Sequence, residues 1–457
     1  MAPPVFASLL LRRIVALFVM VALCVQPASA QSILRDAETE AFFKEISYPL
    51  IRAAGLDPAN VEVVLISDKS INAFVAGGQT VYLHSGLIDA AETANEVQGV
   101  IAHELGHIEG GHVVRFSEGI EAASNISILS LVLAAAAIAA GAGEAGMGIM
   151  AAGQQAAMGR FLAFSRVQES VADASGARYL SAAGITGRGS INFFKKLQNY
   201  EFRLGIPQED SYNRTHPLSG ERITVLEDTY KADPAWDAPL NPEWEAEFKR
   251  IKAKLSGFMA EPKATFRDYP ESDMTIPARY ARAYAWHKAA YPQKALDEAN
   301  ALVAKSPNDP YFLELQGQIL LESGRPKDAL PPLRQAVELT GNQPLIAGIF
   351  GHALIATEDK AYLDEAERVL KAAVTKDNRN PFAWYQLGVV YEAKGDRPRA
   401  ALANAERYLM EGAPQLALPN AAEAMAGLPE YSQDWIRAQD IKLVAEAEVA
   451  KLRNKRR

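Results

Sequence analysis

His103-Glu104-Leu105-Gly106-His107 carries the most concentrated chemistry in the chain. Histidines four residues apart lie about one turn apart on a single helix face, so both imidazoles can reach one metal ion. Glu104 is turned around the helix, beside the metal rather than on it. There a carboxylate can take a proton from a metal-activated water and pass it to a leaving amine. Without a third ligand, the same two histidines could be ordinary residues of an amphipathic helix.

The third ligand has two candidates. His112 follows closely, with Gly110 three residues after His107. A metzincin-type site, however, needs its last histidine at position 113, which is Val113. His112 is one residue out of phase and is predicted to point away from the metal. The second candidate is Phe164-Ser165-Arg166-Val167-Gln168-Glu169-Ser170-Val171-Ala172-Asp173. Glu169 and Asp173 are four apart and share a helix face. One of them can ligate a metal while the other orients a ligand imidazole. Standing alone this would read as a solvated acidic face, and the histidine motif tips it toward the metal.

The elements that must hold these residues are mostly helical. Residues 31–230 read as an α+β unit: a helix over 35–54, strands over 61–66 and 79–83 with a turn at Gly77-Gly78, and a long helix over 93–109 stopped by Gly110-Gly111. Residues 231–275 gather Pro, Trp and charge and read as a connector with one helix over 242–257. Residues 276–457 repeat with a period near 34. Pro277, Pro310, Pro344 and Pro381 keep that step, as do Ala295, Ala329, Ala366 and Ala400, and Trp384-x-x-Leu387-Gly388-x-x-Tyr391 completes the tetratricopeptide pattern. Such helix pairs cannot bury their apolar faces alone. They stack into an all-α superhelix with a concave groove for a protein partner.

Composition narrows the function further. Arg12 and Arg13, an apolar run and Ala28-Ser29-Ala30 make residues 1–30 a cleavable signal peptide. Cys24, the single cysteine, would leave with it, which excludes a thiol nucleophile and disulfides. The net charge of −8 becomes −10 without the two leader arginines, an argument against nucleic acid. Within an apolar insertion over 125–155, residues 126–143 carry no charge. They fit a buried helical hairpin, a membrane-dipping lid over the metal, or a true span, and the first two are favoured together because alanine makes the run a weak anchor.

The histidine motif, followed by Ser165-Arg166-x-x-Glu169-x-x-x-Asp173 and then by Thr215-His216-Pro217, resembles the gluzincin family of the heat-shock membrane protease and the CAAX prenyl protease. The whole layout is similar to its periplasmic members with a tetratricopeptide tail, the β-barrel assembly-enhancing proteases. The resemblance implies Zn2+ on His103, His107 and Glu169, with Glu104 as the base and Asp173 supporting a ligand. It also implies that His216 fills the open metal position and keeps the enzyme latent. The plainer reading of His216 is a helix-entry residue packed before Pro217. The strand Val81-Tyr82-Leu83 could pair with an extended substrate.

The expectation is therefore a periplasmic zinc metalloendopeptidase acting on protein or peptide substrates. Its repeats would hold a protein partner, such as the outer-membrane assembly machinery, and residues 126–143 could touch a membrane. The rival is an assembly chaperone or scaffold with a structural or latent zinc site. A prenyl-protein protease would need several spanning helices.

Overall fold

The computed structural model describes residues 32–139, 142–204, 216 and 220–455. The expected signal peptide lies outside the described residues. Among them a small mixed sheet is packed by helices, and a stack of helix pairs follows, so the fold is α+β and mostly α.

The sheet contains β1 (Ser32–Leu34), β2 (Glu62–Ser67), β3 (Ala73–Ala76) and β4 (Thr80–His84) in the order β1-β2-β4-β3. β2 and β4 run parallel with Val63 opposite Val81, whereas β3 and β4 form a hairpin with Val75 opposite Val81. Gly77 and Gly78 make its turn at φ +62° and +104°, a region that side chains disfavour. β4 is therefore hydrogen-bonded on both sides. This corrects the assignment of Val81, Tyr82 and Leu83 as the substrate-pairing strand, because an added strand needs a free edge. Among the described residues the free edges belong to β1 and β3, and β3 is the one paired with β4.

Helices α1 (Ala37–Ala53), α2 (Ser85–Ala90) and α3 (Ala94–Glu109) cover the sheet. Thr93 caps α3 by accepting from the Glu96 amide, and every residue from Ala94 to His107 is buried. α3 is thus a central core helix, which accounts for its apolar residues on all sides. Helices α4 (His112–Ala139) and α5 (Gly143–Ala182) follow as a long hairpin. Its outer part is exposed: only 6% of the most apolar 18-residue stretch of α4 is buried. The buried-hairpin expectation fails here, since no other element of the described chain covers those side chains. α6 (Arg188–Leu204) and α7 (Gly220–Lys231) close the unit.

The connector is more ordered than its composition suggests. α8 (Pro242–Met259) places Phe248, Ile251 and Leu255 in the same core as α1 and α3. Those positions are three and four apart, a helical stripe that the surrounding charges mask. Short α9 (Pro262–Asp268) leads into α10 (Ile276–Lys288), which packs on α8. Buried Glu38 of α1 joins the two halves: Arg250 pairs with it, Lys254 lies 3.1 Å away and the Tyr280 hydroxyl donates to it at 2.8 Å.

The repeats continue as α11 (Pro292–Lys305), α12 (Pro310–Glu322), α13 (Pro326–Leu339), α14 (Pro344–Ala356), α15 (Leu363–Lys376), α16 (Pro381–Lys394), α17 (Arg397–Met410), α18 (Pro414–Gly427) and α19 (Gln433–Lys455). The periodic prolines open helices, where a missing amide costs nothing: Asp309, Gln343 and Asn380 cap the helices begun by Pro310, Pro344 and Pro381. Gly317 and Gly351 lie where a Cβ would strike Leu333 and Leu370 of the paired helix, at 2.4 and 2.5 Å.

Candidate metal centre

Glycines bring the two motif helices together. A Cβ on Gly106 would sit 2.7 Å from the carbonyl oxygen of Ala172, and one on Gly176 would lie 3.1 Å from that of Ala102. α3 and α5 therefore touch backbone to backbone, and this sets the distance from the histidines to Glu169 and Asp173. His103, His107, Glu169 and His216 converge, each offering one ligand atom, with all these atoms within 4.8 Å of one another. All four residues are buried.

The spacing of those atoms fits a metal. His103 Nε2 lies 3.1 Å from His107 Nε2, 3.2 Å from His216 Nδ1 and 3.4 Å from Glu169 Oε2. Glu169 Oε1 lies 3.4 Å from His107 Nε2 and 3.2 Å from His216 Nδ1. Four N and O donors set tetrahedrally around zinc are separated by about 3.3 Å, given bonds of ~2.0–2.1 Å. Atoms carrying lone pairs at these distances repel unless a cation or protons lie between them.

The outer nitrogens fix how each ring presents itself. His103 Nδ1 is 2.9 Å from Asp173 Oδ1, a contact that favours the proton on Nδ1 and makes Nε2 the nitrogen that faces the cluster. His107 Nδ1 is 2.9 Å from His112 Nδ1. His216 turns Nε2 toward the Ala73 carbonyl at 3.3 Å, which leaves Nδ1 for the cluster. Arg222 then holds both carboxylates. Its Nε and Nη2 donate to Asp173 at 2.7 and 2.9 Å, and Nη2 is 3.1 Å from Glu169 Oε2.

Electrostatics follow this geometry. Burial alone would suppress the charge on His103, but Asp173 and Glu169 more than offset it and push its pKa up to about 10. Burial and the positive fields of His103 and His216 hold His107 neutral. Glu169 stays ionised well below the usual carboxylate range because His216 and His103 outweigh its burial. Burial raises the pKa of Glu104, both of whose oxygens are enclosed without a hydrogen-bond partner. Its Oε1 is 3.5 Å from His216 Nε2. A cleft of about 250 Å³ opens beside it, lined by Phe74, His107, His112, Phe161 and Phe164 among others.

Residues 35–230 match peptidase family M48. Residues 35–230 belong to that metalloprotease family. A β-barrel assembly-enhancing protease of Yersinia pestis is 23% identical to the chain over 354 residues, covering 76% of this chain and 71% of its own. A Vibrio cholerae protein provisionally given the same name is 25% identical over 62% of this chain, which spans 59% of that protein's length. The metalloprotease LoiP of Escherichia coli K12 is 33% identical over 38% of this chain and 64% of its own.

Within the M48 unit two partners escaped the sequence. His112 is out of phase as a ligand, yet the Gly110-Gly111 break, with Gly111 at φ +62°, folds it back against His107. Arg222 lies five residues after Pro217 in the same motif block, in the first turn of α7, and the sequence assigned it no role.

Proposed function

We propose that the chain is a periplasmic zinc endopeptidase held latent by His216. The convergence of three α3 and α5 side chains with His216 at tetrahedral donor spacing carries this reading. His103, His107 and Glu169 would hold the zinc ion, and Asp173, His112 and Arg222 would orient them. Bound zinc supplies a Lewis acid that polarises a peptide carbonyl and acidifies water. Glu104, with free buried oxygens beside the cleft, takes the proton of the attacking water and delivers it to the departing amine. A substrate strand would add to β3. In an antiparallel pair, alternate residues turn their backbone groups outward, and the Asn72 carbonyl accepting from the His84 amide places Ala73 and Val75 in the outward set. His216 meets the Ala73 carbonyl there, so it blocks the metal position and the substrate edge together.

The leader over 1–30 supports a periplasmic location. The tetratricopeptide groove would present protein clients, and the names of the relatives suggest clients among outer-membrane β-barrels and their assembly machinery. The test is cleavage of an unfolded β-barrel protein by the wild type, Glu104→Gln, His216→Ala and Glu169→Ala, each with its zinc content measured. Glu104→Gln should keep zinc and lose activity, Glu169→Ala should lose both, and His216→Ala should cleave faster than wild type. If all four forms are inert while the wild type binds zinc, the chain is an assembly chaperone with a structural site.

A further inference from the structure

We propose that the outer part of the α4–α5 hairpin inserts into a lipid bilayer and docks the cleft against the membrane surface. Its packing is inverted relative to a hairpin built for water. Ala134, Gly146, Gly153 and Ala157 are buried, whereas Ile128, Leu129, Leu131, Leu133, Met147 and Met158 are each more than half exposed. A Cβ on Gly146 would meet the Ala134 carbonyl at 2.8 Å, and one on Gly153 would overlap Ser130. In water, paired helices bury their large side chains against each other. In lipid the driving force between them is close packing through small residues, and the large apolar groups face the acyl chains.

Charge and length agree. Residues 122–143 carry no charge, nor do 145–159; Glu144 near the apex is the only charge between Glu121 and Arg160, and Gln154 and Gln155 are uncharged. The uncharged part of α4 over 122–139 is about 27 Å long at 1.5 Å per residue, against roughly 30 Å of hydrocarbon. Arg115, Arg160 and Arg166 stand toward the base, where phosphates would meet them. The Ser130 hydroxyl donates to the Ile126 carbonyl at 2.7 Å and needs no water.

A second copy of the chain would need a single apolar stripe. Leu131, Val132 and Leu133 are instead consecutive, about 100° apart around the helix, and all are exposed. An apolar surface that wraps a helix matches a solvent, not a partner face. The base of the same hairpin supplies Val113, Phe161 and Phe164 to the wall of the cleft. Docking would therefore hold the metal cluster at the bilayer surface. Under the protease reading, the clients would be polypeptide segments emerging from lipid.

The test floats the full-length wild type with phosphatidylethanolamine–phosphatidylglycerol vesicles. Val225→Glu, on the exposed face of α7, serves as the control. The wild type and control should float, and Leu131→Glu with Leu133→Glu should lower the partition constant more than about tenfold. Leu131→Trp should shift to shorter emission wavelength on binding and be quenched by brominated acyl chains, whereas Ile120→Trp near the base should be quenched less. The inference is overturned if the wild type does not float, if the paired glutamates change nothing, or if Leu131→Trp is not quenched. Self-association without lipid that the paired glutamates abolish would assign the surface to a second copy. None of these readouts depends on cleavage, so a failed protease reading leaves them intact.

Discussion

Replacing Arg222 by Met should weaken both the M48 unit and its grip on metal, although Arg222 touches no metal-facing nitrogen. Its side chain is 9% exposed, and the guanidinium contacts Asp173 through two hydrogen bonds and Glu169 at 3.1 Å. Both carboxylates are buried, and Asp173 is held below its usual pKa, against its burial, by His103 and Arg222. Met preserves most of the volume but leaves this acidic pair with less counter-charge. Removing one member of a buried ion pair costs about 3–5 kcal/mol. The full effect belongs to the metal-free chain, since a bound cation would neutralise part of the charge on Glu169. Urea unfolding of the metal-free full-length protein should therefore lose about 3–5 kcal/mol, and zinc affinity by chelator competition should fall about 10–100-fold. Adding Asp173→Asn to the Met variant should restore part of the stability but not the affinity, because His103 Nδ1 would then face an amide. A loss below about 1 kcal/mol, the range of an exposed pair, with unchanged zinc affinity would refute this account of Arg222.

Three further outcomes test other parts of the arrangement. His112→Ala should cut zinc affinity about tenfold by freeing the His107 ring, with little change in folding, as read by chelator competition beside circular dichroism. Gly106→Ala puts a Cβ 2.7 Å from the Ala172 carbonyl and should cost about 1–3 kcal/mol in urea unfolding despite alanine's better helix propensity. Glu314, buried beside Lys254, Asp36 and Glu38 where the repeats meet α8, has its pKa pushed up to about 8, chiefly by burial. The folded chain then keeps a proton that the unfolded chain releases near 4.5. Stability should therefore fall as pH rises from about 4.5 to about 8, and Glu314→Gln should flatten that slope in melting curves.

The sequence revealed the repeats and the histidine helix because each is written locally. A proline that opens a helix and a glycine under a leucine recur at fixed steps, and two histidines four apart share a face whatever surrounds them. Strand order is not local. β4 lies between β2 and β3 only because the chain crosses over, and no alternation within 79–83 distinguishes a central strand from an edge. The charged connector hid Phe248, Ile251 and Leu255 for a related reason: a stripe of three apolar positions is faint among glutamates and lysines. His112 and Arg222 were illegible because their roles depend on tertiary approach, one through a two-glycine reversal and the other through contact between α7 and α5.

One helix joins the exposed apolar arm to the metal cluster. α5 runs from Gly143 to Ala182, 40 residues without interruption, or about 60 Å. Its first turns form the exposed apolar arm, Phe161 and Phe164 wall the cleft, and Glu169 and Asp173 face the histidines. Beyond them, Gly176 locks the helix to the backbone of α3 at Ala102. No proline or positive-φ residue interrupts α5 between its N-terminus and Asp173. A continuous helix held close at one end transmits a tilt at the other, because packed backbones leave no side chain to absorb it. Glu169 sits between the arm and the lock, so a force on the arm would bear first on the carboxylate that faces His216.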